Sequence, residues 1–121
     1  EAEHVGPDNL FDLMVVAPCT GNTMAKIASA ITDTPVTMAV KSHLRNQKPV
    51  VLGISSNDVL GMNARNLGAL LSSKNIYFIP FYQDDPIKKE NSVTFKTEML
   101  IQTIESALSG RQVQHVLQTL T

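Results

Sequence analysis

The residues best suited to chemistry stand together in Pro18-Cys19-Thr20-Gly21-Asn22-Thr23. An apolar run from Leu13 to Ala17 stops at Pro18, and apolar positions at helical spacing follow at Met24, Ile27, Ala28 and Ile31. The pattern predicts a buried strand, a tight loop and a helix start. Such a junction aims unpaired backbone N–H groups and the positive end of a helix dipole at whatever lies beyond the strand. It is a seat for an anion, above all a phosphate. Gly21 permits close backbone approach, and Thr20, Asn22 and Thr23 add short hydrogen-bonding side chains. The same residues also suit a plain strand-to-helix turn with a Thr or Asn cap.

A second polar stretch, Ser55-Ser56-Asn57-Asp58, closes the apolar run Val50–Ile54. It reads either as a helix cap or as a polar wall. Ligands of open α/β sheets bind beyond the carboxyl ends of the strands. If these two strands are neighbours, their loops line one crevice, and Pro80–Asp85 after a third strand is placed to cover it. Cys19 allows two readings. A thiol at a helix N-terminus can ionise easily and act as a nucleophile, but small buried cysteines are common and no histidine adjoins this one, which favours packing. His4, His43 and His115 are scattered, and His43, among charged neighbours on a helix, reads as solvated. Lys41 and Arg45, one helical turn apart, suit an acidic ligand or simply a solvated face. Asp84 and Asp85 sit beside Lys88 and Lys89 with no third ligand, so the pattern implies a soluble loop and no metal.

The elements that must position these groups follow from the apolar spacing. Glu1–Asn9 is a polar loop and Leu10–Ala17 a strand. Helices are expected over Asn22–Ile31, from Pro35 with Thr34 as its cap, over Asn63–Ser72, and over Phe95–Leu108 with Gly110 just past its end. Further strands fall at Val50–Ile54 and Asn75–Ile79, and Pro80–Asn91 reads as a polar loop. The tail from Arg111 is suited to packing on a neighbour. Nearly unbroken apolar strands between helices predict a parallel sheet covered on both faces.

The 121 residues, 43% hydrophobic, make one domain of residues 1–121 with a real core. A net charge of −1 argues against non-specific nucleic-acid binding. Two tyrosines, four phenylalanines and no tryptophan leave little surface for stacking bases. No apolar run is long enough to span a bilayer. One cysteine excludes an internal disulfide and suits a reducing, cytoplasmic compartment.

Pro18–Thr23 followed by Met24-Ala25-Lys26-Ile27-Ala28 resembles the Pro-Ala-Ser-Ala-Asn-Thr motif of the flavin-binding cysteine-decarboxylase-like family. The likeness continues through Thr32–Val36, Lys41–Asn46 and Asn75–Phe81 with Gln83–Pro86, and covers about Glu1 to Leu117. These later stretches resemble one branch in particular, concerned with spore formation. The resemblance implies a three-layer α/β fold of the Rossmann or flavodoxin-like kind, here lacking an N-terminal βαβα section that carries a phosphate loop and a catalytic histidine. It implies flavin mononucleotide (FMN) as cofactor, contacted by Cys19, Thr20, Asn22 and Thr23, and a homo-oligomer built on trimers. It also implies a nicotinamide-dependent dehydrogenase-like partner, together with a small dicarboxylate substrate of the dihydrodipicolinate type. By position Asn57 resembles an asparagine that grips the substrate carboxylate in the decarboxylases, but Ile54 and Ser56 stand where their segment has proline and methionine. Two other activities stay open: decarboxylation of a cysteine-derived substrate, and a non-catalytic role without cofactor.

Overall fold

Alternation along the first two strands divides the interior into two cores. The computed structural model describes residues 12–119. Strand β1 spans Met14–Cys19 and β2 spans Val50–Ser56. Met14, Val16, Val50, Leu52 and Ile54 point into one core; Leu13, Val15, Ala17 and Val51 belong to the other. This is the period of two expected of a pleated strand, with both faces buried. The larger core is covered by helices α1 (Gly21–Ala28), α2 (Pro35–Arg45) and α3 (Ala64–Leu71), which contribute Met24, Val40, Leu67 and Leu70. The opposite core is closed by the helix of Leu100–Leu108, α4, through Ala107 and Leu100. Helices therefore stand on both sides of the sheet, as the sequence implied.

Strand β2 is the centre of the sheet. It pairs in parallel with β1 (Met14 beside Val50) and with β3, Ile76–Phe78 (Val51 beside Tyr77). This is the expected parallel unit. The sheet is nevertheless mixed. Pro80 has no N–H to continue the ladder beyond β3. The distal half of β2 instead takes an antiparallel partner, β5 (Val93–Phe95), with Ser55 opposite Thr94. Strand β4 (Phe81–Tyr82) pairs with β5 in turn. The stretch expected to be a plain polar loop, Pro80–Asn91, therefore opens with the first arm of a hairpin. Phe95 belongs to its second arm rather than to the last helix, which starts at Leu100 after a 3₁₀ turn at Thr97–Met99. The tail adds to the outer edge of β4: the Phe81 amide donates to the Val116 carbonyl (2.9 Å) and the Gln118 amide to the Phe81 carbonyl (2.8 Å).

Two other boundaries differ from expectation. The first strand runs on through Pro18 to Cys19, because the ladder with β2 is irregular between Val16 and Cys19 and a bulge tolerates a residue without an N–H. Helix α1 stops at Ala28, short of Ile31, because Ala30 turns left-handed (φ 59°) and its amide and that of Ile31 close back onto Ile27 and Lys26. The expected strand start at Leu10, and His4, lie outside the described residues.

Candidate functional site

The two strand ends expected to line one site do stand side by side, because β1 and β2 are parallel neighbours. Thr20 caps α1: its hydroxyl accepts from the Thr23 amide (3.2 Å) and its carbonyl from the Met24 amide (2.9 Å). The amides of Gly21 and Asn22 have no protein acceptor among the described residues. They remain open at the positive end of the helix, the arrangement that receives an anion. Thr20 and Asn22 are exposed and Thr23 is half-buried, so three of the motif side chains border solvent together.

Gly21 itself is buried against the β2 loop. A Cβ at this position would lie 2.7 Å from Ser56 Oγ and 2.9 Å from both Asn63 Nδ2 and Asp58 Oδ1. No side chain fits there without displacing that group. The loop is tied internally: Ser56 Oγ donates to Asp58 Oδ1 (2.7 Å), and Asn63 Nδ2 donates to the Gly21 carbonyl (3.1 Å) and reaches Asp58 Oδ1 (3.4 Å). Asn66 Nδ2 in turn donates to Asn63 Oδ1 (2.6 Å). Ser55 is held on the other side by Thr94 Oγ1 (3.3 Å). Asn57 is exposed at the tip and has no hydrogen-bond partner among the described residues, so its amide is available to a ligand. A hollow of about 410 Å³ adjoins the network, lined in part by Asp58, Met62, Asn63 and Arg65.

The remaining candidates are dispersed. The Cys19 side chain is fully buried in the larger core, and loss of hydration pushes its thiol up to about 12. That suits packing and opposes thiolate chemistry at neutral pH. His43, read as solvated, is in fact buried: its helix face turns inward, its Nε2 has no hydrogen-bond partner among the described residues, and desolvation lowers its pKa below the usual histidine value. Lys41 and Arg45 stand at the other end of α1, on an apolar cleft of about 410 Å³ that includes Ile27, Val40 and Leu44. His115 is exposed in the tail. Among the described residues no cluster of three or more His, Cys, Asp or Glu could hold a metal, and no helix is long and apolar enough to cross a membrane.

Sequence reasoning took Asn63 only for the start of a helix. It missed its contact with Gly21, 42 residues away, because nothing local marks it. Parallel β1 and β2 with covering helices, a glycine-tight loop and unpaired first-turn amides make up an α/β strand-end arrangement suited to an anionic ligand. The chain belongs to the Flavoprotein family, which it matches over residues 1–109. It is 57% identical over 117 residues to the B component of dipicolinate synthase from Bacillus subtilis (strain 168), covering 97% of this chain and 58% of that protein. The crystal structure of the B component of dipicolinate synthase from Bacillus halodurans C superposes with a TM-score of 0.91 at 55% identity, over 97% of this chain and 60% of the other. The chain thus spans about three-fifths of the length of these relatives.

Proposed function

We propose that this chain is the flavin-binding component of a dipicolinate synthase. It would act in forming dipicolinate from a dihydrodipicolinate-type precursor during sporulation, in the cytoplasm, beside the A component of that synthase, a nicotinamide-dependent dehydrogenase-like protein. The observation that carries the reading is the pair of open amides at Gly21 and Asn22, flanked by Thr20 and Thr23, in a chain of the Flavoprotein family. The crevice suits FMN: the amides offer charge-assisted hydrogen bonds to an anionic group, and Thr20, Asn22 and Thr23 offer donors and acceptors to polar edges. With its side chain buried, Cys19 contributes its backbone and the packing behind the loop. Bound flavin supplies the electron transfer, and the protein supplies binding, orientation and polarity. Exposed Asn57 is the group we assign to the flavin edge or to a substrate carboxylate. A homo-oligomer built on trimers completes this reading.

The test is spectroscopic. Purified protein is expected to quench FMN fluorescence on titration and to carry a yellow absorption band that is released on denaturation. Protein that stays colourless in excess FMN, yet raises the activity of the dehydrogenase-like partner, would replace this reading with a cofactor-free partner role. Carbon dioxide release from a cysteinyl peptide would replace it with a decarboxylase.

A further inference from the structure

We propose that Asn63 is the positioning residue of the crevice, fastening the first turn of α1 to the loop after β2 and so setting the spacing between the two walls that receive the ligand. The inference rests on the crevice being the flavin site. Asn63 is 8% exposed, yet polar and fully engaged. It occupies the N-cap position of α3, where an asparagine side chain ordinarily accepts from the helix's own amides. Here it makes no such bond. Its Nδ2 instead donates to the Gly21 carbonyl and approaches the Asp58 carboxylate, while its Oδ1 accepts from Asn66.

The geometry gives this bond a reach beyond local stability. Gly21 carries one of the two open amides, and its carbonyl is the atom Asn63 holds. Asp58 lies one residue beyond Asn57, the exposed group assigned to the ligand. One side-chain amide therefore connects both walls. Loss of its donors leaves Asp58 held by Ser56 Oγ alone and removes the one side-chain bond between the Gly21 carbonyl and the β2 loop among the described residues, so the two walls are free to shift apart.

The experiment compares Asn63→Asp, Asp58→Asn and the double variant, with FMN titration, the flavin absorption spectrum and thermal unfolding measured for each. Asn63→Asp keeps the shape but removes both donors and sets a second carboxylate beside Asp58. It is expected to weaken FMN binding about tenfold and to shift the bound-flavin band. Adding Asp58→Asn removes the repulsion between the two carboxylates but returns no donor to the Gly21 carbonyl, so the band and the affinity are expected to stay altered; full recovery would show that repulsion alone caused the loss and would overturn the role of the bond to Gly21. Asn63→Gln, which keeps the donors on a longer arm, reads out the spacing directly through an altered spectrum. If Asn63→Asp unfolds the protein, the double variant and Asn63→Gln carry the test. Folded variants that bind FMN with unchanged affinity and spectrum would overturn the role of Asn63. Wild-type protein that binds no FMN would instead overturn the assignment of the crevice.

Discussion

Helices α1 and α2 begin with the same residue pattern and use it differently. Each has threonine at the cap and threonine three residues on, Thr20 with Thr23 and Thr34 with Thr37. At α2 the exchange is reciprocal: the Thr34 hydroxyl accepts from the Thr37 amide (3.1 Å) and the Thr37 hydroxyl from the Thr34 amide (3.0 Å). Pro35, at the first helical position, removes a further donor. At α1 only one half of the box forms. Thr20 takes the Thr23 amide, but the Thr23 hydroxyl meets the Thr20 hydroxyl (3.2 Å) instead of its amide. Glycine stands where α2 has proline, so α1 leaves two amides without a protein acceptor among the described residues, those of Gly21 and Asn22, and α2 leaves only that of Val36. A terminus with a full box and a proline keeps few donors to spare. An unsaturated one at the carboxyl end of a sheet retains binding capacity.

The sharpest way to break this contrast is Gly21→Ala. The new Cβ must displace Ser56, Asn63 or Asp58, which hold one another, so urea unfolding should show a loss of about 2 kcal/mol and FMN binding should fall with it. Unchanged stability would mean that the loop yields and the two walls are not coupled. Next comes Thr34→Ala, which removes the arm to the Thr37 amide and the hydroxyl–hydroxyl contact while leaving the bond from its own amide to the Thr37 hydroxyl, and should cost about 1–2 kcal/mol in the same measurement. Thr20→Ala removes one cap bond and should cost about 0.5–1 kcal/mol, with a larger effect on flavin affinity than Thr34→Ala. The reverse ranking on affinity would remove the distinction between the two termini.

The far ends of the same helices extend the comparison. Both close through a left-handed residue that is not glycine, Ala30 (φ 59°) after α1 and Gln47 (φ 61°) after α2, whereas α4 closes through Gly110 (φ 76°). Gln47→Gly should raise stability by about 0.5–1 kcal/mol and Gly110→Ala should lower it by about 1 kcal/mol, read from shifts in Tm; open space around Gly110 leaves backbone strain as the sole cost there. The smallest effect concerns pH. His43 is folded with its pKa lowered, chiefly by burial, so the unfolded chain binds its proton first as pH falls below 6.5. Stability is complete above that value. It declines between 6.5 and the lower folded value, with a slope of at most about 1.4 kcal/mol per pH unit. Urea midpoints measured from about pH 7.5 to 5 should show that slope, and His43→Leu should flatten it.

How much was legible depended on the range of the forces involved. Apolar runs over Val15–Ala17 and Val50–Ile54, Thr34-Pro35 as a helix start and Gly110 as a helix stop are local signals, and each element stands where its signal placed it. The motif Thr20–Thr23 was readable for the same reason: a cap acts within three residues. What escaped lies in contacts between distant segments. The inward face of His43 depends on which side of α2 meets the sheet. The pairing of β5 with Ser55 and Ser56 depends on β3 ending at Phe78, before Pro80, and leaving that edge of β2 free.

The sequence by itself determined the order of the first three strands and the four helices, the two buried faces of β1 and β2, and a polar loop with spare amides after the first strand, because periodicity, capping and turn chemistry act over a few residues. Tertiary structure alone decided that Gly21 lies under Ser56, Asp58 and Asn63, that Cys19 is sealed in the core, and that an antiparallel hairpin completes the sheet. Those outcomes depend on desolvation and on hydrogen bonding between segments 42 and 39 residues apart, and no short-range pattern encodes them.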